Sequence, residues 1–95
     1  MKRPRFPSSV RWQLRAEGDV QGVGFRWTAR REASALGISG WAENAYDGSV
    51  NLVLEGEPDR LRQLLLQLSV RFPEARFEQT APAARATGIV GFGIR

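Results

Sequence analysis

The sequence predicts an α+β fold in which an antiparallel sheet of four to five strands carries two helices on one face. Three observations point there. Val10, Trp12, Leu14 and Ala16 alternate with Arg11, Gln13, Arg15 and Glu17, the period of a strand with one buried face. Phe25, Ala29, Ala33 and Leu36, and later Leu61, Leu64, Leu65 and Leu68, recur at helical spacing. Asp47-Gly48 stands between two further apolar runs, which is a hairpin signal.

Taken in order, Met1 to Ser9 holds prolines and basic residues with little that can pack, so a mobile basic tail is expected over residues 1–9 and a single domain over 10–95. The first strand runs from Val10 to Glu17. The first helix begins at about Phe25, covers the sheet through its small Ala29 and Ala33, and ends before Gly37, a typical residue just past a helix. Ile38 to Asn44 and Ser49 to Glu55 form two antiparallel strands around AYDG, with Val50, Leu52 and Leu54 on one face and Asn51, Val53 and Glu55 on the other. Pro58 suits the first position of the second helix, whose leucine stripe is core. Phe72-Pro73 ends it, Ala75 to Thr80 reads as a short strand, and Ala81 to Thr87 as a loop. Val90, Phe92 and Ile94 alternate in a closing strand.

The order is βαββαβ with a final short strand. Right-handed crossovers turn it into a ferredoxin-like α/β sandwich, although propensity alone leaves several topologies open.

Composition narrows the chemistry. The 95 residues, 42% of them hydrophobic, fill one modest core. There is no cysteine and no histidine, which excludes disulfides, thiolate catalysis, an imidazole base and the commonest metal ligands. Any reaction must run on arginine, amides, hydroxyls, carboxylates and backbone. The basic N-terminus is not followed by an apolar segment, and no run approaches the roughly 18 apolar residues of a membrane span. A cytoplasmic protein without membrane association is expected. The net charge of +4 suggests anionic partners, but the arginines are scattered rather than grouped as a nucleic-acid groove.

The organising stretch is Gly18 to Arg26, GDVQGVGFR, which joins the first strand to the first helix. A glycine-bearing loop there is a ready anion site, because glycine lets backbone N–H groups turn inward and the helix N-terminus adds positive potential. Neither GxGxxG nor GxxxxGK[ST] fits: no third glycine follows Gly22 and Gly24 at the required spacing, and no lysine follows either. On shape alone an anion cradle and a tight structural turn remain open.

The string resembles the acylphosphatase signature, through Gly18, Val20, Gln21, Gly22, Val23, Phe25 and Arg26. A second motif of that family follows in the right order: Gly40-Trp41, Asn44, the turn Asp47-Gly48, and Val50. The resemblance covers nearly the whole chain from about Val10 and implies the same ferredoxin-like fold. It also implies a metal-independent, cofactor-free hydrolase that splits small acyl phosphates into a carboxylate and inorganic phosphate. By matching position, Arg26 clamps the phosphate and Asn44 orients the attacking water. Val20, Gln21, Gly22, Val23, Gly24 and Phe25 supply the phosphate-binding cradle, and Gln21 holds the loop's shape.

That chemistry suits what the chain lacks. An acyl phosphate leaves as a stable carboxylate, so no general acid is needed, and positioning and charge neutralisation remain. An arginine fork can give a phosphoryl group two parallel hydrogen bonds. Three residues depart from the family pattern: Asp19 and Glu43 stand where acidic residues are unusual, and Ala42 where valine is frequent. Arg95 directly follows the closing strand, within possible reach of an arginine near the site. A monomer is expected. The rival reading is a non-catalytic anion or RNA binding module on the same fold.

Overall fold

The computed structural model describes residues 9–95, so the expected basic tail lies, except for Ser9, outside the described residues. The alternating run becomes strand β1 (Val10–Glu17), followed by helix α1 (Phe25–Ala35), strands β2 (Ser39–Asn44) and β3 (Val50–Gly56), and helix α2 (Pro58–Arg71). Strands β4 (Arg76–Gln79), β5 (Ala84–Arg85) and β6 (Phe92–Ile94) complete the chain. The order along the sheet is β4-β1-β3-β2-β6, with β5 also paired to β1.

Register explains the two faces. Leu14 lies opposite Leu52 and Ala16 opposite Val50, so one face presents continuous apolar surface. Both helices close over it. Ala29 and Ala33 of α1 and Leu61, Leu64 and Leu68 of α2 are fully buried there with Leu52 and Leu54, while Leu65 of the expected stripe is only partly buried. Phe25, the first residue of α1, is locked in the core edge-on against Phe72, with ring centroids 5.0 Å apart. Each buried leucine or phenylalanine contributes about 1.5–3 kcal/mol by leaving water.

The sheet is mixed, which corrects the expected antiparallel arrangement. Strands β4, β1, β3 and β2 form an antiparallel core, but β6 joins β2 in parallel, with Gly40 beside Phe92 and Ala42 beside Ile94. The cause is the direction of the chain before it. Both β4 and β5 run against β1, so the chain emerges at the end of the sheet where β1 begins. The next strand must run back the other way, the direction of β2. Strand β5 itself falls inside the expected loop Ala81 to Thr87, and Val90, expected in the closing strand, is exposed outside it.

The open face of the sheet holds two surprises. Val53 is buried because Gln13 and Trp41 flank it as cross-strand neighbours. Glu55 is only 4% exposed. Its carboxylate accepts hydrogen bonds from the Thr87 hydroxyl (2.7 Å) and the amides of Thr87 (2.9 Å), Gly88 (3.0 Å) and Ile89 (3.1 Å), with the Arg11 guanidinium at 3.4 Å. The connection from β5 to β6 is thereby pinned as it passes the end of β3.

Two outcomes are expected. Leu64→Ala should lower the unfolding free energy by about 2–5 kcal/mol and Leu66→Ala, on the exposed side of the same helix, by less than about 0.5 kcal/mol, in urea titrations. Burial pushes the Glu55 carboxyl up, but the hydrogen bonds from Thr87, Ile89 and Gly88 outweigh it, leaving it below the ordinary value of 4.5. A lowered folded-state pKa stabilises fully above that ordinary value and is lost as pH falls through the lowered one. Urea titrations between pH 7 and 3 should show this loss in the wild type, and Glu55→Gln should lack that component.

Candidate active site

The loop between β1 and α1 takes its shape from two glycines. Gly22 (φ +75°) and Gly24 (φ +81°) adopt left-handed backbone with open space around both, a conformation that side-chain-bearing residues rarely adopt. The turns at these residues leave the amides of Gln21, Gly22, Val23 and Gly24 without an acceptor among the described residues. Helix α1 adds more donors. Its first internal bond runs from Thr28 N–H to Gly24 O, 3.0 Å, so the amides of Phe25, Arg26 and Trp27 have no partner within the helix. No side chain caps this end and no acidic residue stands in its first turn, so the positive end of the helix dipole is not neutralised locally.

Of the expected cradle residues, Gln21, Gly22, Val23, Gly24 and Phe25 bring amides to this loop, although the Phe25 side chain belongs to the core. Val20 differs: its N–H donates to Gly18 O at 3.0 Å and its side chain is buried. It anchors the loop, and its amide is already occupied. Gln21 does more than shape the loop. Its side-chain amide donates to the carbonyls of Ala45 and Ser49, each at 2.8 Å, which ties the loop to the β2–β3 hairpin. That turn is itself braced, because Asp47 accepts hydrogen bonds from the Ser49 amide and hydroxyl. The Ser49 hydroxyl and amide, with Arg15 nearby, hold the Asp47 carboxyl below the usual range.

Asn44 is the last residue of β2, exposed, and next in sequence to Ala45, to which Gln21 is bonded. Arg26 reaches the same end of β2 by another route. Its Nη1 donates to the Arg95 main-chain oxygen at 2.9 Å, and the Arg95 amide donates to Ala42 O at 2.9 Å. One of five guanidinium N–H donors is thus spent on aiming the group, leaving the others for an anion. Gln21 thus ties the loop beside Asn44, and Arg95 ties Arg26 to Ala42 of the same strand. Asp19 and Glu43 are exposed and have no cationic partner among the described residues, and Ala42 is fully buried. Among the described residues no three acidic side chains gather to hold a metal ion.

A family model for acylphosphatase matches residues 12–92. The chain belongs to the acylphosphatase family. It is 43% identical over 89 residues to an acylphosphatase of Synechococcus sp. (strain WH7803), spanning 93% of this chain and 89% of that protein. An acylphosphatase of Thermococcus kodakarensis is 54% identical over 56 residues, 59% of this chain and 62% of the relative, so that match spans less than two thirds of the relative's length. Among solved structures, an acylphosphatase from Coxiella burnetii superposes with a TM-score of 0.75 at 29% identity, covering 93% of this chain and 94% of the other. The two stretches that resemble the family's motifs, the loop and the hairpin, are bonded to each other through Gln21.

Sequence reasoning missed the Gln21 bridge to the hairpin, the Asp47–Ser49 brace and the Glu55 anchor. Alternation put Glu55 on the open face, but nothing local says what covers that face. Gly24→Ala should be costly although its surroundings are empty, because φ +81° strains an L-residue by about 1–2 kcal/mol. The check is a urea titration beside a rate measurement, with both stability and turnover expected to fall.

Proposed function

We propose that this acylphosphatase-family protein hydrolyses the carboxyl–phosphate bond of small acyl phosphates, with the phosphoryl group seated in the Gln21–Phe25 amides and clamped by Arg26. Asn44 orients the attacking water from the end of β2. The observation that carries this reading is the set of unpaired amides at Gln21 to Gly24, beside an arginine whose guanidinium is aimed by a main-chain oxygen. Such donors need no reorganisation as charge moves onto the bridging oxygen.

The step balances without an acid. Water attacks phosphorus, the bond from phosphorus to the acyl oxygen breaks, and the electron pair leaves on a carboxylate. The water's protons pass to phosphate and solvent. Residues 10–95 act as one acylphosphatase-like domain, and the reading is of a monomer in the cytoplasm that uses no metal or cofactor. One chain supplies every group invoked. The RNA-binding rival gains nothing from the aromatics of β1 and β2, since Trp12 packs against the core and the Arg95 guanidinium covers the Trp41 ring at 3.7 Å.

Arg26→Ala and Asn44→Ala should each lower turnover of benzoyl phosphate by on the order of 10²-fold, as loss of a transition-state contact does. An aryl phosphate ester assayed beside it should be a far poorer substrate. Two folded variants with wild-type rates would end the role assignments, and binding of single-stranded RNA without hydrolysis would favour the rival.

A further inference from the structure

We infer that Glu55, at the opposite end of the sheet from the phosphate loop, is a positioning residue for the Arg26 clamp, acting through the crossover and strand β6. The inference rests on the reading of Arg26 as the clamp. It starts from a buried carboxylate for which the proposed chemistry has no use.

A buried charge is tolerated only where it is paired and hydrogen-bonded. Glu55 meets that condition through four hydrogen-bond donors of the segment Thr87 to Ile89, so what it secures is that segment. The segment needs securing. Between β5 and β6 the chain crosses the end of the sheet without forming a helix or strand, and β6 has three residues at the sheet edge. Such a strand belongs to the part of a fold that opens first.

Two routes lead from the carboxylate to the clamp. Along the backbone, Ile89 precedes Gly91, whose carbonyl accepts from Gly40 N–H at 3.0 Å. Strand β6 then runs beside β2 to Arg95, whose main-chain oxygen holds Arg26 at 2.9 Å. Across the open face, Glu55 pairs with Arg11, Arg11 lies 5.5 Å from the Trp41 ring centre, and Arg95 lies 3.7 Å from the same ring. Both routes end on Arg95, the residue that aims the guanidinium. With Glu55 neutralised or removed, β6 loses its fixed starting point, and Arg11, which shares the Trp41 ring with Arg95, loses its carboxylate partner. Arg26 would then be ordered by the ligand rather than before it arrives, which weakens binding.

The test measures the KM and kcat for benzoyl phosphate and the inhibition constant of inorganic phosphate in Glu55→Gln, Thr87→Val, Arg26→Ala and Glu55→Gln/Arg26→Ala. Glu55→Gln should raise KM and the phosphate inhibition constant about 10-fold with kcat changed less than about threefold, since the lost term is shared by ground and transition states. Thr87→Val, which removes only the hydroxyl donor, should shift both constants the same way by about twofold to threefold and carries the test if Glu55→Gln does not fold. In the Arg26→Ala background, Glu55→Gln should add no further loss, because residues acting through one group are not additive. A merely structural role would lower the thermal midpoint and leave these constants unchanged in folded protein. Wild-type constants in Glu55→Gln and Thr87→Val, or full additivity with Arg26→Ala, would overturn the role of Glu55 while leaving the clamp intact. Wild-type behaviour of Arg26→Ala would overturn the clamp and the role of Glu55 together.

Discussion

The Gln21 side-chain amide is the interaction on which the site depends. Its two hydrogen bonds, to Ala45 O and Ser49 O, are the link between a loop at the start of one helix and a hairpin from the far side of β3. Loop amides alone would make a weak and indefinite anion site, since neighbouring N–H groups compete for water as readily as for phosphate. Fixing the loop against the hairpin puts those amides and Asn44 in one frame before any ligand arrives, and preorganisation of this kind is what gives hydrogen bonds catalytic weight. A donor is essential at Gln21: both partners are carbonyls, so a carboxylate of the same shape would repel them.

The second constraint is the direction of the chain. Because β4 and β5 run against β1, the chain has to cross the sheet end before β6 can enter beside β2. That crossing produces the need for a buried carboxylate at Glu55, and the strand it delivers supplies the oxygen that orients Arg26. Core and site are thus built differently. The leucines and alanines between helices and sheet hold the layers together by area, while single hydrogen bonds at the sheet's two ends set the position of the guanidinium.

Local pattern made most of the fold legible. Alternation gave β1 at its observed limits, helical spacing gave both helices, and Asp47-Gly48 gave the hairpin. The loop string and Asn44 were picked out through the resemblance to the family motifs, and the structure ties that loop to Ala45, next to Asn44, through Gln21. What stayed hidden depends on partners distant in sequence. The parallel entry of β6 follows from where β5 leaves the chain, and two residues of β5 amid alanines and a proline carry no pattern. Glu55 looks like any polar residue of a half-exposed strand until Thr87, Gly88 and Ile89 arrive over it. Val20 looks like a cradle residue in the motif, yet the turn at Gly18 consumes its amide.

A site without histidine is adequate only for some leaving groups, and this limits the substrate more sharply than the shape of the loop does. A carboxylic acid has a pKa near 4, whereas that of an alcohol, resembling water, lies roughly 12 units higher. At about 1.4 kcal/mol per unit, an alcohol leaving without a proton is worse by roughly 16 kcal/mol at equilibrium, and even a fraction of that in the barrier exceeds what one arginine and a few amides supply. None of the groups gathered at Gln21 to Arg26 or at Asn44 is a strong proton donor at neutral pH, because guanidinium holds its proton and carboxamides do not release theirs. On the proposed reading, the residue set that holds the phosphoryl group therefore discriminates between an anhydride and an ester without touching the organic part of either. On that reading, selectivity for acyl phosphates arises from what the leaving group does not require, and the loop need not grip the acyl part to deliver it.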